Sequence, residues 1–213
     1  MASSKSAIDN EATREHVVYC WDVLVNHYAG KQGPEPPFEN AFCPLFVTWK
    51  KRRSLDSTEE PLLRGCIGTL DAKDLHSNLG KYTLISALQD RRFNPIAARE
   101  LEYLDCTVSL LTNFEKGLQW DDWEVGTHGM IIEFEDPNNP AGYSYSATYL
   151  PEVAHEQGWT REECIDSLIS KAGYTKNPTN VRLNPKNPLR LTRYQSSLCT
   201  VSYQEYLAHK EGK

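Results

Sequence analysis

Arg64 and Cys66 stand two residues apart in the run Leu62-Leu63-Arg64-Gly65-Cys66-Ile67-Gly68-Thr69-Leu70. In an extended strand this spacing puts both side chains on one face, because successive Cβ atoms alternate. A cation beside a thiol favours the thiolate, the nucleophilic and oxidisable form of cysteine. Gly65 and Gly68 remove side chains from the same run, which allows close approach of a backbone or a ligand. On this reading Cys66 is a candidate nucleophile or redox centre and Arg64 stabilises negative charge. The plainer alternative is a bulged strand in which Cys66 fills a small core space and Arg64 pairs with a carboxylate. His128, ahead of Gly129 and between two apolar segments, is the candidate base for that thiol if the fold brings it near. It reads equally well as a surface turn residue. Arg92-Phe93 offers a planar guanidinium suited to bidentate binding of an anion, or else an ion pair with Asp90 or Glu100.

Other chemistries find no pattern. The six histidines contain no His-Glu-x-x-His, the six cysteines contain no Cys-x-x-Cys, and Gly65-x-x-Gly68 lacks the Lys-Ser/Thr of a phosphate loop. No metal and no cofactor is expected. Asp121-Asp122 and Glu133-x-Glu135-Asp136 carry carboxylates at no spacing that couples them as acid and base. Lys50-Lys51-Arg52-Arg53 is a short basic run, either a nuclear-import or acidic-partner element or the solvated end of a strand.

The elements that must hold these residues are legible from periodicity. Val17, Val18, Trp21, Leu24, Val25 and Tyr28 recur at helical spacing between Glu11 and Tyr28, with Gly30 as a stop. Gly33-Pro34-Glu35-Pro36-Pro37 reads as a loop, since proline lacks the amide hydrogen a helix needs. Apolar runs over Phe42 to Trp49 and Leu62 to Leu70 predict a strand pair joined by the long connection Lys50 to Pro61. Helices are expected over Leu79 to Leu88, from Asn94-Pro95 to about Leu104, and from the Thr160-x-x-Glu163 capping box to Gly173. Strands are expected over Thr107 to Leu111, Trp123 to Val125, Met130 to Phe134, Tyr143 to Tyr149 and Leu191 to Tyr206, with a turn over Asp136 to Pro140 and a loop from Tyr174 to Pro188. The mixture lacks the regular alternation of a doubly wound sheet and predicts an α+β fold. Residues 11–207 read as a single domain, with residues 1–10 and 208–213 as flexible tails.

Composition narrows the partners. Over 213 residues, 23 Lys and Arg against 29 Asp and Glu give a net charge of -6, so there is no general basic field for a phosphate backbone, and nucleic acid is an unlikely partner. Apolar residues make up 39% of the chain and the mean hydropathy is -0.57, the balance of a soluble globular chain and not of a disordered or membrane one. No stretch approaches the roughly 20 apolar residues of a bilayer span, and Met1 to Glu11 has no apolar targeting core. No membrane partner is therefore expected, and the location expected is the nucleus and/or cytoplasm. In a reducing compartment the six cysteines stay thiols. Cys20, Cys43, Cys106, Cys164 and Cys199 fall in apolar patterns and read as packing, which leaves Cys66 as the one with a functional context.

Leu63-Arg64-Gly65-Cys66-Ile67-Gly68-Thr69 resembles the signature of the AMMECR domain family. The likeness continues through Pro44-Leu45-Phe46-Val47-Thr48-Trp49, Arg92-Phe93-x-Pro95, Val108-Ser109-Leu110-Leu111-Thr112-Asn113-Phe114-Glu115, Asp122-Trp123-Glu124-Val125-Gly126-x-His128-Gly129, Ala147-Thr148-Tyr149-Leu150-Pro151 and Thr200-Val201-Ser202-Tyr203, and covers most of residues 16–207 in the manner of the eukaryotic branch. The resemblance implies an α+β fold with a mixed or antiparallel sheet, a larger and a smaller subdomain, and a cleft between them near the cysteine motif. It supplies no established reaction. Prokaryotic relatives of the family are fused to or lie beside Memo and radical-SAM proteins, which implies a shared pathway. Arg91 and Leu70 depart from the family pattern, where serine before Arg92-Phe93 and phenylalanine after Thr69 are common. Two functions remain open: a ligand- or protein-binding regulatory domain that uses Arg64, Gly65, Cys66, Ile67, Gly68, Arg92 and Phe93, with an unknown protein or small molecule as partner, and an enzyme that uses Cys66, Arg64 and His128. A third reading makes the motif purely structural.

Overall fold

A computed structural model describes residues 11–137 and 139–212. The chain forms α1 (Arg14–Tyr28), β1 (Phe42–Lys51), β2 (Leu62–Asp74), α2 (Leu75–Leu88), a 3-10 helix (Ala98–Tyr103), β3 (Leu104–Leu118), β4 (Gly129–Asp136), β5 (Asn139–Tyr149), α3 (Pro151–Glu156), α4 (Arg161–Lys171), α5 (Thr179–Arg182), β6 (Arg190–Ser202) and α6 (Tyr203–Glu211). The architecture is α+β. Its six strands follow the hydrogen-bonded order β2-β1-β3-β6-β4-β5, and the pairings of β1 with β2 and β3, and of β4 with β5 and β6, are antiparallel. Two compact units divide the chain, residues 1–111 with 197–213, and residues 112–196.

In the first unit, α1 lays Val17, Val18, Trp21 and Leu24 on a core shared with Leu45, Val47 and Trp49 of β1 and Val108 of β3. Trp21 meets Trp49 edge-on at 4.9 Å and donates its indole N–H to the Val201 carbonyl at 3.0 Å, so the helix is fixed both by apolar burial and by a directed bond. In the second unit, Met130, Ile132 and Phe134 of β4 face Cys164, Ile165, Leu168 and Ile169 of α4. The expected capping box of α4 is present: Glu163 N–H donates to Thr160 Oγ1, and Thr160 N–H donates to Glu163 Oε2.

Several expected boundaries are corrected. α2 begins at Leu75, not Leu79, because Asp74 caps it by accepting from Ser77 N–H at 2.9 Å. No helix opens at Asn94. The Asn94 and Pro95 carbonyls are taken by the Arg64 guanidinium, and only a short 3-10 turn forms from Ala98. Trp123 to Val125 is a turn and not a strand. The chain doubles back there, with Trp123 N–H donating to Asp121 O and both Thr127 and His128 N–H donating to Glu124 O. β6 stops at Ser202, whose side chain and Glu205 form a second capping box that starts α6. Helix thus continues through Glu211, where strand to Tyr206 and a tail from residue 208 were expected. The tail expected over residues 1–10, and Asn138 of the expected 136–140 turn, lie outside the described residues.

Candidate functional site

β2 lies at one end of the strand order, so only one of its flanks is paired by a strand. Cys66 sits opposite Thr48 of β1. Its N–H donates to Asp90 Oδ2 at 2.9 Å and its carbonyl accepts from Arg92 Nη2 at 3.1 Å, so both of its backbone polar groups point away from β1. Cys66 and Thr48 therefore form a non-hydrogen-bonded antiparallel pair, the kind in which facing side chains come closest. Thr48 Oγ1 accordingly donates to Cys66 Sγ at 3.1 Å. The Thr48 hydroxyl is therefore a direct side-chain partner of the motif sulfur.

The Asp90–Arg92 pair is built for this task by three tight contacts. Arg92 Nε and Nη2 reach the two Asp90 oxygens at 3.0 and 2.7 Å, and Arg92 N–H adds a third bond at 3.2 Å. Asp90 is buried. The Arg92 hydrogen bonds outweigh the cost of that burial and, with the Cys66 and Arg92 amides, hold its carboxyl down at about 2. The Arg92 side chain is 55% exposed, and its guanidinium stands 5.4 Å from the Phe93 ring centroid, a cation over an aromatic face.

Arg64 has a different surrounding from the one its spacing suggests. Its guanidinium donates to both oxygens of Glu100, at 3.1 and 3.0 Å, and to the Asn94 and Pro95 carbonyls at 2.7 and 3.2 Å. With 14% of its side chain exposed, Arg64 fastens the 94–100 segment to β2, which is the carboxylate pairing left open as the plainer alternative. Lys51 adds a bond to Glu100 at 2.8 Å, and although burial opposes it, these donors lower the Glu100 carboxyl to about 2. Arg52 pairs with Asp105 and Arg53 with Glu59, so these three members of the basic run 50–53 are engaged by carboxylates.

The two glycines of the motif meet backbone. A Cβ on Gly65 would stand 2.1 Å from the Ser86 carbonyl oxygen of α2, and one on Gly68 would stand 2.1 Å from the Leu45 carbonyl oxygen of β1. Gly65 lets α2 settle on the strand, where Trp49 Nε1 donates to Ser86 Oγ at 3.0 Å. Gly68 pairs with Phe46, just before the register shift that falls between Cys43 and Leu45 of β1. Ile67 and Gly68 remain partly exposed.

His128 belongs to the second unit. It is buried, and Nδ1 accepts the Glu124 N–H at 3.1 Å, so the ring closes its own turn. Cys20, Cys43, Cys106 and Cys164 are buried and Cys199 is partly so. Burial raises the Cys43 thiol to about 11 and the Cys164 thiol to about 12, which suits inert packing. Sequence reading missed Thr48, and it named Asp90 only as an ion-pair partner of Arg92, not as the acceptor of the Cys66 N–H. Asp90-x-Arg92 was a visible signal as a short-range ion pair, whereas Thr48 depends on strand register.

Comparison with known proteins matches this architecture. An uncharacterized protein of Arabidopsis thaliana is 52% identical over 198 residues, covering 93% of this chain and 89% of its own. An uncharacterized protein of Schizosaccharomyces pombe is 37% identical over 201 residues, covering 93% and 97%. The crystal structure of an uncharacterized protein from Pyrococcus horikoshii superposes with a TM-score of 0.66 at 26% identity, covering 87% of this chain and 89% of that one. The AMMECR1 family model matches residues 17–199, and with it the Arg64–Gly68 run, Asp90 and Arg92. On that match and the identity to its plant and yeast relatives, the chain belongs to the AMMECR1 family.

Proposed function

We propose that the chain is a ligand- or protein-binding regulatory module whose recognition surface is the outer flank of β2 at Arg64–Gly68, together with Arg92 and Phe93. One observation carries this reading. Arg92 is clamped at Asp90 and at the Cys66 carbonyl, yet more than half of its side chain faces solvent above Phe93. A cation fixed in this way recognises an anionic group with little ordering cost. Arg64 acts as a strut for the surface. The module works as one functional domain in the nucleus and/or cytoplasm, a reading supported by the lack of any helix long and apolar enough to cross a membrane among the described residues.

A second reading, an enzyme with Cys66 as thiolate nucleophile or redox centre, draws on the 3.1 Å bond from Thr48 Oγ1 to the sulfur. A thermal-shift screen of anionic peptides and metabolites on the wild type, Arg92→Gln and Cys66→Ala separates the two. A ligand that stabilises the wild type and Cys66→Ala, but not a folded Arg92→Gln, supports binding. Hits that stabilise all three proteins equally would remove this surface from the function.

A further inference from the structure

A cavity of about 500 Å³ in the first unit shares no residue with the β2 surface. The N-terminal end of α1 forms one wall, the segment Pro37–Ala41 the other, and Leu75 and Leu110 contribute apolar lining. The Pro37–Ala41 wall is preformed. Leu75 N–H donates to the Ala41 carbonyl at 2.8 Å, His76 N–H donates to Asn40 Oδ1 at 3.1 Å, and His76 Nε2 meets the Phe38 carbonyl at 2.7 Å. The Phe38 ring is held edge-on by His16 at 4.3 Å and by Tyr19 at 5.5 Å.

Two independent features define what fits. Glu11, Glu15 and Glu39 are exposed around the cavity, and among the described residues none has an ion-pair partner and no lysine or arginine lines the space. His16 is 6% exposed and lines the same cavity. Its Nδ1 accepts the Thr13 N–H at 3.0 Å, which places the ring proton on Nε2. Nε2 has no hydrogen-bond partner among the described residues, and His16 is part of the cavity lining.

We propose that this cavity docks a basic peptide segment. One Lys or Arg side chain lies along Phe38 with its charge among Glu11, Glu15 and Glu39, while a main-chain carbonyl accepts the His16 Nε2–H. A free amine or guanidinium answers the carboxylates but offers no acceptor to His16. A peptide supplies both groups, and the spread of three carboxylates suits more than one basic residue. Burial lowers the His16 pKa, which agrees with the neutral ring this contact needs.

The test is a titration of the full chain with the fluorescent peptide Gly-Arg-Lys-Arg-Gly at low salt, followed by anisotropy and by two-dimensional NMR. Saturable binding is expected, with shifts at the His16 ring and the Phe38 and Asn40 amides, and with affinity reduced at least tenfold in the exposed-site double variant Glu15→Gln/Glu39→Gln. Glu102→Gln, an exposed carboxylate elsewhere, should bind like the wild type. Absence of binding, shifts confined to other residues, or equal affinity in the double variant would each overturn the proposal. Binding of arginine amide as tight as that of the peptide would overturn the peptide assignment.

Discussion

Asp90 accepts the backbone N–H of Cys66 at 2.9 Å, so the end of α2 and the unpaired flank of β2 are joined through a buried carboxylate. The same carboxylate binds Arg92, which returns to the Cys66 carbonyl. The peptide of the motif cysteine is thereby held by side chains at both of its polar groups, and the consequences are measurable.

Acid should loosen this arrangement. The Asp90 and Glu100 carboxyls sit at about 2 in the folded chain, below their ordinary values of 3.8 and 4.5. Depressed carboxylates contribute stability that is complete above the unfolded pKa and is lost as pH falls through the folded one, here from about pH 4.5 down to pH 2. Each contributes on the order of 2–3 kcal/mol, reduced by solvent screening at the exposed cations. Urea midpoints measured from pH 6 to pH 2 should fall across that window, and Asp90→Asn should be less stable at pH 6 with a shallower decline. An equal decline in wild type and variant would count against Asp90 as a source of the pH dependence.

The motif glycines should tolerate no side chain. Gly65→Ala and Gly68→Ala each drive a methyl against a backbone oxygen, and each should destabilise by about 3 kcal/mol or more, visible as a lower Tm or as insoluble protein. Gly33→Ala, where nothing lies within 4 Å, should change stability by less than about 0.5 kcal/mol.

Thr48 should set the reactivity of Cys66. Thr48→Val removes the hydroxyl and keeps the shape, so alkylation of Cys66 by iodoacetamide at neutral pH should slow by roughly fivefold, the equivalent of one hydrogen bond of about 1 kcal/mol. Mass spectrometry of the labelled peptide against time, over a pH series, provides the readout. Unchanged rates would leave the thiol without hydroxyl control.

Ser202→Ala should destabilise the chain by about 1 kcal/mol through loss of the α6 cap, with Glu205→Ala acting on the reciprocal bond. Chemical denaturation of both variants and of the double variant should show coupled, non-additive losses.

Elements set by local periodicity or capping were readable from the sequence. α1 declares itself by Val17, Val18, Trp21 and Leu24, α4 by Thr160 and Glu163, and the β1–β2 pair by two apolar runs. The Ser202/Glu205 box carried the same signal as Thr160/Glu163 but was hidden inside an apolar strand pattern that continued to Tyr206. Asn94-Pro95 looked like a helix start on local grounds, yet Arg64, 30 positions earlier, occupies the Asn94 carbonyl. The site divides in the same way. The Arg64–Gly68 run and Arg92-Phe93 stand out by composition. Thr48 joins Cys66 only through a strand register that shifts at Trp49/Lys50, and spacing within one strand cannot encode that.

The position of β2 at the end of the strand order bears on assembly. An uncovered sheet edge invites another chain to add a strand, the route to fibrils and unintended dimers. At Cys66 that route is closed, because Asp90 and Arg92 already hold the outward N–H and C=O. A partner arriving there meets no backbone ladder to extend. It must be recognised by side chains, and the motif cysteine stays clear of edge-to-edge aggregation.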